Sequence, residues 1–161
     1  MSAIFSPCGN YRYVLERRLG EGDKRICWIM LNPSTADAER DDPTIRRCIR
    51  FSRDWGYDQM TVVNMWALRA TDPRELLRWL RTEPPIYPNQ GHIDHEARRA
   101  NLTIAAWGLI GHAHGGEAMR EHLMDGRAEV DLHVLGLTKS GAPRHPLYVA
   151  ASATPQPWEV V

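Results

Sequence analysis

An apolar run, Arg25–Leu31, ends abruptly at the turn residues Asn32-Pro33-Ser34. Two later segments have the same design, since Met60–Asn64 ends on an asparagine and Val134–Leu137 leads towards His145-Pro146. Short, continuously apolar runs are typical of strands buried on both faces, as in a parallel sheet. Because the carboxyl ends of parallel strands share one edge of a sheet, the sequence predicts a single polar crevice at that edge.

Helical patterns alternate with the strands along the chain. Asp42 and Pro43 are typical of a helix N-cap and first turn, and they predict a helix that runs to about Trp55. Periodicity predicts further helices over Pro73–Arg81, His92–Asn101 and Gly116–Met124. Further strands are predicted over Tyr11–Leu19, Met60–Asn64, Leu102–Trp107 and Val130–Leu137.

Two segments carry additional expectations about connections. Tyr11–Leu19 and Arg25–Leu31 are separated by turn residues, and we expect them to form an antiparallel pair. The proline-rich segment Glu83–Asn89 predicts an irregular loop, because proline removes a backbone donor from helices and sheets.

The order of strands and helices predicts an α/β fold made of one domain, residues 1–161. We expect a three-layer α/β/α sandwich with a central, mainly parallel sheet of about four strands, extended by an N-terminal antiparallel strand. The sequence contains no internal repeat, low-complexity tract or linker that would divide it. A chain of 161 residues is long enough to bury one compact core.

The charge balance argues against a protein that coats nucleic acid. Lysine and arginine together number 20, as do aspartate and glutamate, so the formal net charge is zero. Non-specific nucleic-acid binding depends on a bulk positive field, which this composition does not supply. A local group of arginines could still form a small phosphate-facing patch, made of Arg46, Arg47, Arg50 and Arg53.

The cysteines and the absence of targeting signals favour a cytoplasmic protein. Cys8, Cys27 and Cys48 are odd in number and widely spaced, which argues against a disulfide framework and a structural zinc site. The sequence has no signal-peptide pattern and no apolar run near the ~20 residues that cross a bilayer. We expect no membrane partner.

Two histidine pairs have spacings that are compatible with metal binding. His112 and His114 are two residues apart, and His92 and His95 would share a helix face. Neither pair has a carboxylate or cysteine at a recognisable ligand spacing, so surface histidines are the simpler interpretation. We therefore expect neither a metal nor a cofactor.

Several segments resemble known families. The whole chain is similar to an uncharacterised bacterial family, a domain of unknown function marked by LNPSTAD, DDPTIRRC, VVNMWALRATDP, AWG and PRHPLY. Four ordered elements more distantly resemble the uracil-DNA glycosylase superfamily: Asn32-Pro33, Asn64, Trp107-Gly108 and His145-Pro146. Met30 replaces a glycine of that superfamily's first motif, and the serines of its His-Pro-Ser loop are absent.

The glycosylase resemblance implies a site that hydrolyses the N-glycosidic bond of a nucleobase. Asn64 would read the base edge, and a neutral His145 would donate a hydrogen bond to a carbonyl oxygen of the leaving base. Asn32 would orient the attacking water, although it could instead form an Asx-type turn that ends the strand. The remaining pocket residues would be Pro33, Ser34, Trp107 and Gly108.

An amide cannot act as a general base, so such a site would be slow unless the carboxylate of Asp37, Asp41 or Asp42 helps. The simpler interpretation of Asp41 and Asp42 is that they cap a helix N-terminus. Leu147 and Tyr148 could enter a nucleic-acid stack as a wedge, or could belong to an edge strand that packs on the sheet.

We therefore predict a glycosylase-like protein that acts on a base in nucleic acid, DNA above all, or in a nucleotide. The alternative is a non-catalytic module on the same fold that binds a nucleotide or a modified base. We expect a monomer.

Overall fold

The computed structural model describes residues 2–82, 89–124 and 129–159. The strands in these ranges are β1 (Ser2–Phe5), β2 (Arg12–Arg18), β3 (Arg25–Met30), β4 (Gln59–Asn64), β5 (Leu102–Ala105), β6 (Leu132–Val134) and β7 (Gln156–Pro157). They form one mixed sheet in the order β1-β2-β4-β3-β5-β6-β7. The pairs β4/β3, β3/β5 and β5/β6 are parallel, whereas β1/β2, β2/β4 and β6/β7 are antiparallel.

The helices are α1 (Pro43–Asp54), α2 (Pro73–Thr82), α3 (Gln90–Arg99), α4 (Gly108–Gly111) and α5 (Glu117–Met124). Residues His112–Gly116 join α4 to α5 through a kink, where the backbone of His114 and Gly115 is not helical, and a 3-10 turn covers Pro146–Tyr148. Among the described helices, none is long and apolar enough to cross a lipid bilayer.

The prediction of an α/β fold is confirmed, with a mixed sheet of seven strands in the described residues, and several predicted elements agree closely with the structure. The strand at Met60–Asn64 and the helix that begins at Pro43 are both present. The Asp42 side chain accepts a hydrogen bond from the Ile45 N–H at 2.8 Å, as expected of an N-cap. The predicted loop Glu83–Asn89 lies outside the described residues except for Asn89.

The predicted antiparallel pair between Tyr11–Leu19 and Arg25–Leu31 is wrong, because β4 lies between β2 and β3. Asp58, just before β4, forms backbone hydrogen bonds to the residue after β2 and to the residue before β3. Its carbonyl accepts from the Leu19 N–H at 2.7 Å, and its N–H donates to the Lys24 carbonyl at 2.9 Å. The apolar strand β3 thereby takes a central place between two parallel neighbours.

Apolar side chains cover both faces of β3. Ile26 and Trp28 belong to a buried cluster that includes the α1 residue Phe51. Cys27 and Ile29 alternate with them and belong to a second buried cluster, to which α2, α3 and α5 contribute Leu76, Ile93, Ala97, Met119 and Leu123. A strand buried on both faces explains the continuous apolar run from which the fold was predicted.

The three cysteines are free thiols, with Cys8 exposed and both Cys27 and Cys48 buried. Burial raises the pKa of Cys27 and of Cys48 well above the ordinary range for a thiol. These two side chains therefore remain protonated and act as small apolar groups in the core.

Candidate functional site

A cleft of about 640 Å³ lies at the edge where β3, β4 and β5 end. Asn32 follows β3, Asn64 ends β4, and His145 is the N-cap of the 3-10 turn Pro146–Tyr148. These three side chains, from distant parts of the chain, all line the cleft. Its volume lies within the range typical of small-molecule sites.

Other predicted site residues divide into two groups. Those that also line the cleft are Ser34, Asp42, Trp107, Gly108, Leu147 and Tyr148. Pro33, Asp37 and Asp41 are not part of this lining. The Pro33 carbonyl accepts from the Ala70 N–H at 2.9 Å, Asp37 caps the N–H groups of the residues after it, and Asp41 pairs with Arg17 at 2.8 Å. Of the three candidate acids, all of them described, Asp42 alone faces the cleft.

Asn64 is held in one amide orientation at the floor of the cleft. It is only 1% exposed, and its Oδ1 accepts a hydrogen bond from the Arg12 guanidinium at 3.2 Å. A guanidinium can only donate, so the amide atom that faces it must be the oxygen. Within the described residues no atom accepts a hydrogen bond from Nδ2, which leaves this donor available to a ligand.

Asn32 is fixed by three backbone carbonyls. Its Nδ2 donates to the carbonyls of Ala70 at 2.9 Å, Pro33 at 3.0 Å and Leu68 at 3.3 Å. Carbonyls only accept, so the amide orientation is again determined. The nitrogen thus ties the segment after β4 to the Asn-Pro turn, and the Oδ1 atom is the part of Asn32 left for water or a ligand.

His145 is a neutral imidazole with a free donor. Burial lowers the pKa of His145 below its ordinary value, while the Asp42 carboxylate acts in the opposite direction. The Leu147 N–H donates to His145 Nδ1 at 3.2 Å, so the proton of the neutral ring is on Nε2. The ring can therefore donate one hydrogen bond from Nε2.

The lowered pKa predicts a pH-dependent stability. The unfolded chain takes up a proton on His145 at a higher pH than the folded chain does, so this contribution is complete above about pH 6.5 and is lost as the pH falls through the folded pKa. Urea unfolding measured from pH 7.5 to 5 should show a steeper loss of stability in the wild type than in His145→Gln. Equal slopes for the two proteins would contradict this assignment.

The turn that carries His145 is anchored to α1. Arg47 donates from Nη2 to the Val149 carbonyl at 2.9 Å and from Nε to the Pro146 carbonyl at 3.4 Å. Its guanidinium also lies over the Phe51 ring, 4.6 Å from the centroid. Arg47, predicted as part of a phosphate-facing patch, instead holds this wall of the cleft in place.

The wall formed after β5 depends on close packing of glycines against an indole. Gly108 has a φ of +71°, a region that favours glycine, and its N–H donates to the Pro143 carbonyl at 3.1 Å. Trp107 is buried beside Gly111 and Gly116, where an added Cβ would come within 2.7 Å and 2.6 Å of the indole, respectively. Small residues are therefore required on both sides of this ring.

The mouth of the cleft has an apolar rim. Leu109, Leu147 and Tyr148 line it and are exposed, Tyr148 to 77%. Exposed apolar side chains grouped around a cleft are typical of a surface that contacts a partner or ligand.

Arg12 is a cleft residue that sequence reasoning missed. It begins β2, is 2% exposed, and donates to the Ala36 carbonyl at 2.8 Å as well as to Asn64. The available signal was an arginine at the start of an otherwise apolar strand, Arg12–Leu15. A charged residue at such a position is costly to bury without a reason.

A comparison with protein families identifies the family of this chain. A family profile described as "Protein of unknown function (DUF1643)" matches residues 12–147, which include the cleft segments from Arg12 to Leu147. The chain belongs to this family. No curated protein and no solved structure matches it significantly. The DUF1643 match therefore identifies the family of the chain and gives it no activity.

Proposed function

We propose that this DUF1643 protein binds a nucleobase in the cleft and hydrolyses its N-glycosidic bond. The observation that carries the proposal is the meeting of Asn32, Asn64 and His145 in one cleft of about 640 Å³. Asn64 Nδ2 and His145 Nε2 are both hydrogen-bond donors, and a base such as uracil offers carbonyl oxygens to them. Asn32 adds an acceptor oxygen on the β3 side.

Each of these groups has a separate role in the proposed reaction. A water held by Asn32 Oδ1 attacks C1′ of the sugar, and the C1′–N bond breaks with its electron pair passing to the base. The donors of Asn64 and His145 stabilise the negative charge that develops on the departing base. The Asp42 carboxylate, which lines the cleft, takes the proton of the attacking water.

We also propose that the fold is a three-layer sandwich around a core of parallel strands, as in the uracil-DNA glycosylase superfamily. Three observations support it: the parallel pairing of β4/β3, β3/β5 and β5/β6, the α1 cluster on one face of β3, and the α2, α3 and α5 cluster on the other. A cleft at the carboxyl ends of the strands agrees with the usual place of ligands in such sheets.

We further propose that the base is presented by nucleic acid, with DNA as the first candidate. The exposed rim side chains Leu147 and Tyr148 suit a wedge that fills the stack when a base is flipped out. Helix α1 begins at the cleft and carries the exposed Arg46, Arg50 and Arg53 along its length, where they can contact phosphates.

A non-catalytic binding module is the second candidate, and the contacts of Asn32 favour it. The Asn32 Nδ2 atom is committed to three backbone carbonyls, and an amide oxygen cannot remove a proton from water. The Asp42 Oδ1 atom is likewise committed to the Ile45 N–H. A protein with this cleft could read a base without cleaving its bond to the sugar.

A base-release assay distinguishes these candidates. Purified protein is incubated with single-stranded DNA, double-stranded DNA and a free nucleoside that each carry uracil, and with matched substrates that carry other altered bases. Released base is measured by chromatography, and binding is measured in parallel. The wild type is compared with Asn64→Ala and His145→Ala, and Asn101→Ala serves as a control because Asn101 lies outside the cleft.

Release of a base by the wild type, with loss in Asn64→Ala and His145→Ala but not in the control, would support the proposal. Binding without release, weakened in the same two variants, would favour the module. Release that survives both substitutions would show that the chemistry occurs elsewhere.

A further inference from the structure

Arg12 brings a buried positive charge to the floor of the cleft without a carboxylate partner. Its hydrogen bonds go to neutral acceptors, the Ala36 carbonyl and the Asn64 Oδ1 atom. Its Nε atom is buried and has no hydrogen-bond partner. Within the described residues no carboxylate forms an ion pair with it, so the charge is poorly compensated.

Arg17, on the same strand, is a buried arginine whose positive charge is compensated by a carboxylate. Arg17 is also 2% exposed, but its Nε donates to the Asp41 carboxylate at 2.8 Å. Its other nitrogens donate to the carbonyls of Glu16 and Asp37. The chain therefore pairs one buried arginine of β2 with an acid, and leaves the one that lines the cleft unpaired.

The charged groups around Arg12 are of both signs. Burial lowers the pKa of Arg12 to about 10, the Asp42 carboxylate acts to raise that pKa, and the cations Arg17 and Arg69 act to lower it. The guanidinium is thus charged at neutral pH. Burying a charge without a direct ion-pair partner is unfavourable, and a bound anion would offset this cost.

We infer that Arg12 makes the cleft selective for an acidic heterocycle, a nucleobase that carries negative charge on its ring. This inference rests on the proposed function and narrows its substrate class. The groups that Arg12, Asn64 and His145 offer to a ligand are a cation and two hydrogen-bond donors, all of which favour an electron-rich acceptor edge. Bases with an acidic ring N–H group, which can lose that proton, fit this arrangement better than cytosine, whose ring N–H is much less acidic.

Arg12 affects the bound base in two ways, through its positive charge and through its hydrogen bond to Asn64. Because the guanidinium holds Asn64 Oδ1, the amide presents Nδ2 to the ligand. The same positive field would stabilise a base that leaves as an anion, so selectivity for acidic bases should extend from binding to release. Arg12 is therefore a positioning residue with an electrostatic contribution to specificity.

Calorimetric titration with free bases tests this inference. The ligands are cytosine, uracil and 5-nitrouracil, because the nitro group makes the ring N–H much more acidic than that of uracil. At pH 7.5 the wild type should bind 5-nitrouracil at least tenfold more tightly than uracil, and uracil more tightly than cytosine. Arg12→Lys, which keeps a charge, should retain part of this preference, whereas Arg12→Met should lose it.

A second variant keeps the inference testable if Arg12→Met does not fold. Asn64→Asp places a carboxylate where the amide oxygen lies 3.2 Å from Arg12, and it should remove the preference by neutralising the charge in place. Equal binding of uracil and 5-nitrouracil by the wild type, or a preference that survives in Asn64→Asp, would overturn the inference and leave the proposed function standing. If no base binds the wild type, the proposed function itself fails.

Discussion

Replacement of Asn64 by aspartate is expected to lower the rate of base release on the order of a hundred- to a thousandfold, the usual cost of removing a donor aimed at developing charge. The variant loses the free Nδ2 donor and keeps an oxygen that accepts from Arg12. It also brings a negative charge next to the departing base. Both changes destabilise the transition state, and neither removes a contact that holds the fold.

Stability measurements separate this effect from misfolding. Because the new carboxylate pairs with a buried guanidinium, the free energy of unfolding in urea should be unchanged or higher in Asn64→Asp. Asn101→Asp is the matched control, since Asn101 Oδ1 accepts from the Arg25 N–H at 2.8 Å on a surface outside the cleft. A release rate in Asn64→Asp equal to that of this control would contradict the assigned role of Asn64.

The second large effect is expected in Gly116→Ala. An added Cβ would lie 2.6 Å from Trp107 Nε1 and 2.9 Å from the Gly111 carbonyl oxygen, well inside normal contact distances. Trp107 is buried and has little room to move, so the substitution should cost about 1–3 kcal/mol. The expected fall in Tm is about 2–12 °C for a chain of this length.

Gly91→Ala is the matched control, because an added Cβ at Gly91 meets no atom within 4 Å. Alanine is favoured over glycine in helices, so this variant should be as stable as the wild type or slightly more stable. Thermal unfolding followed by circular dichroism compares the three proteins. If both variants unfold at the same temperature as the wild type, the tight packing around Trp107 is not a structural requirement.

Much of the arrangement of the site could be predicted from the sequence. Apolar runs that end on Asn32 and Asn64 predict strands whose last residues meet at one edge, since parallel strands share their carboxyl ends. The helix start at Asp42 could also be predicted, because an N-cap is recognised from a few adjacent residues. These features put the cleft, and the three residues proposed to work in it, in one place.

The parts that could not be predicted depend on pairing across long sequence distances. Strand β7 is only two residues long, Gln156–Pro157, and has no recognisable pattern of its own. The order of β2, β4 and β3 depends on backbone bonds of Asp58 to two distant segments, which no local pattern reveals. Arg12 could not be assigned to the cleft, because only the folded strand brings it to Asn64, 52 residues further along the chain.

A crystal structure of the protein soaked with uracil or 5-nitrouracil tests whether this cleft binds a nucleobase. We expect one ring bound in the cleft, with oxygen atoms within hydrogen-bond distance of Asn64 Nδ2 and His145 Nε2. An empty cleft at saturating ligand, or a base bound only on another surface, would contradict it.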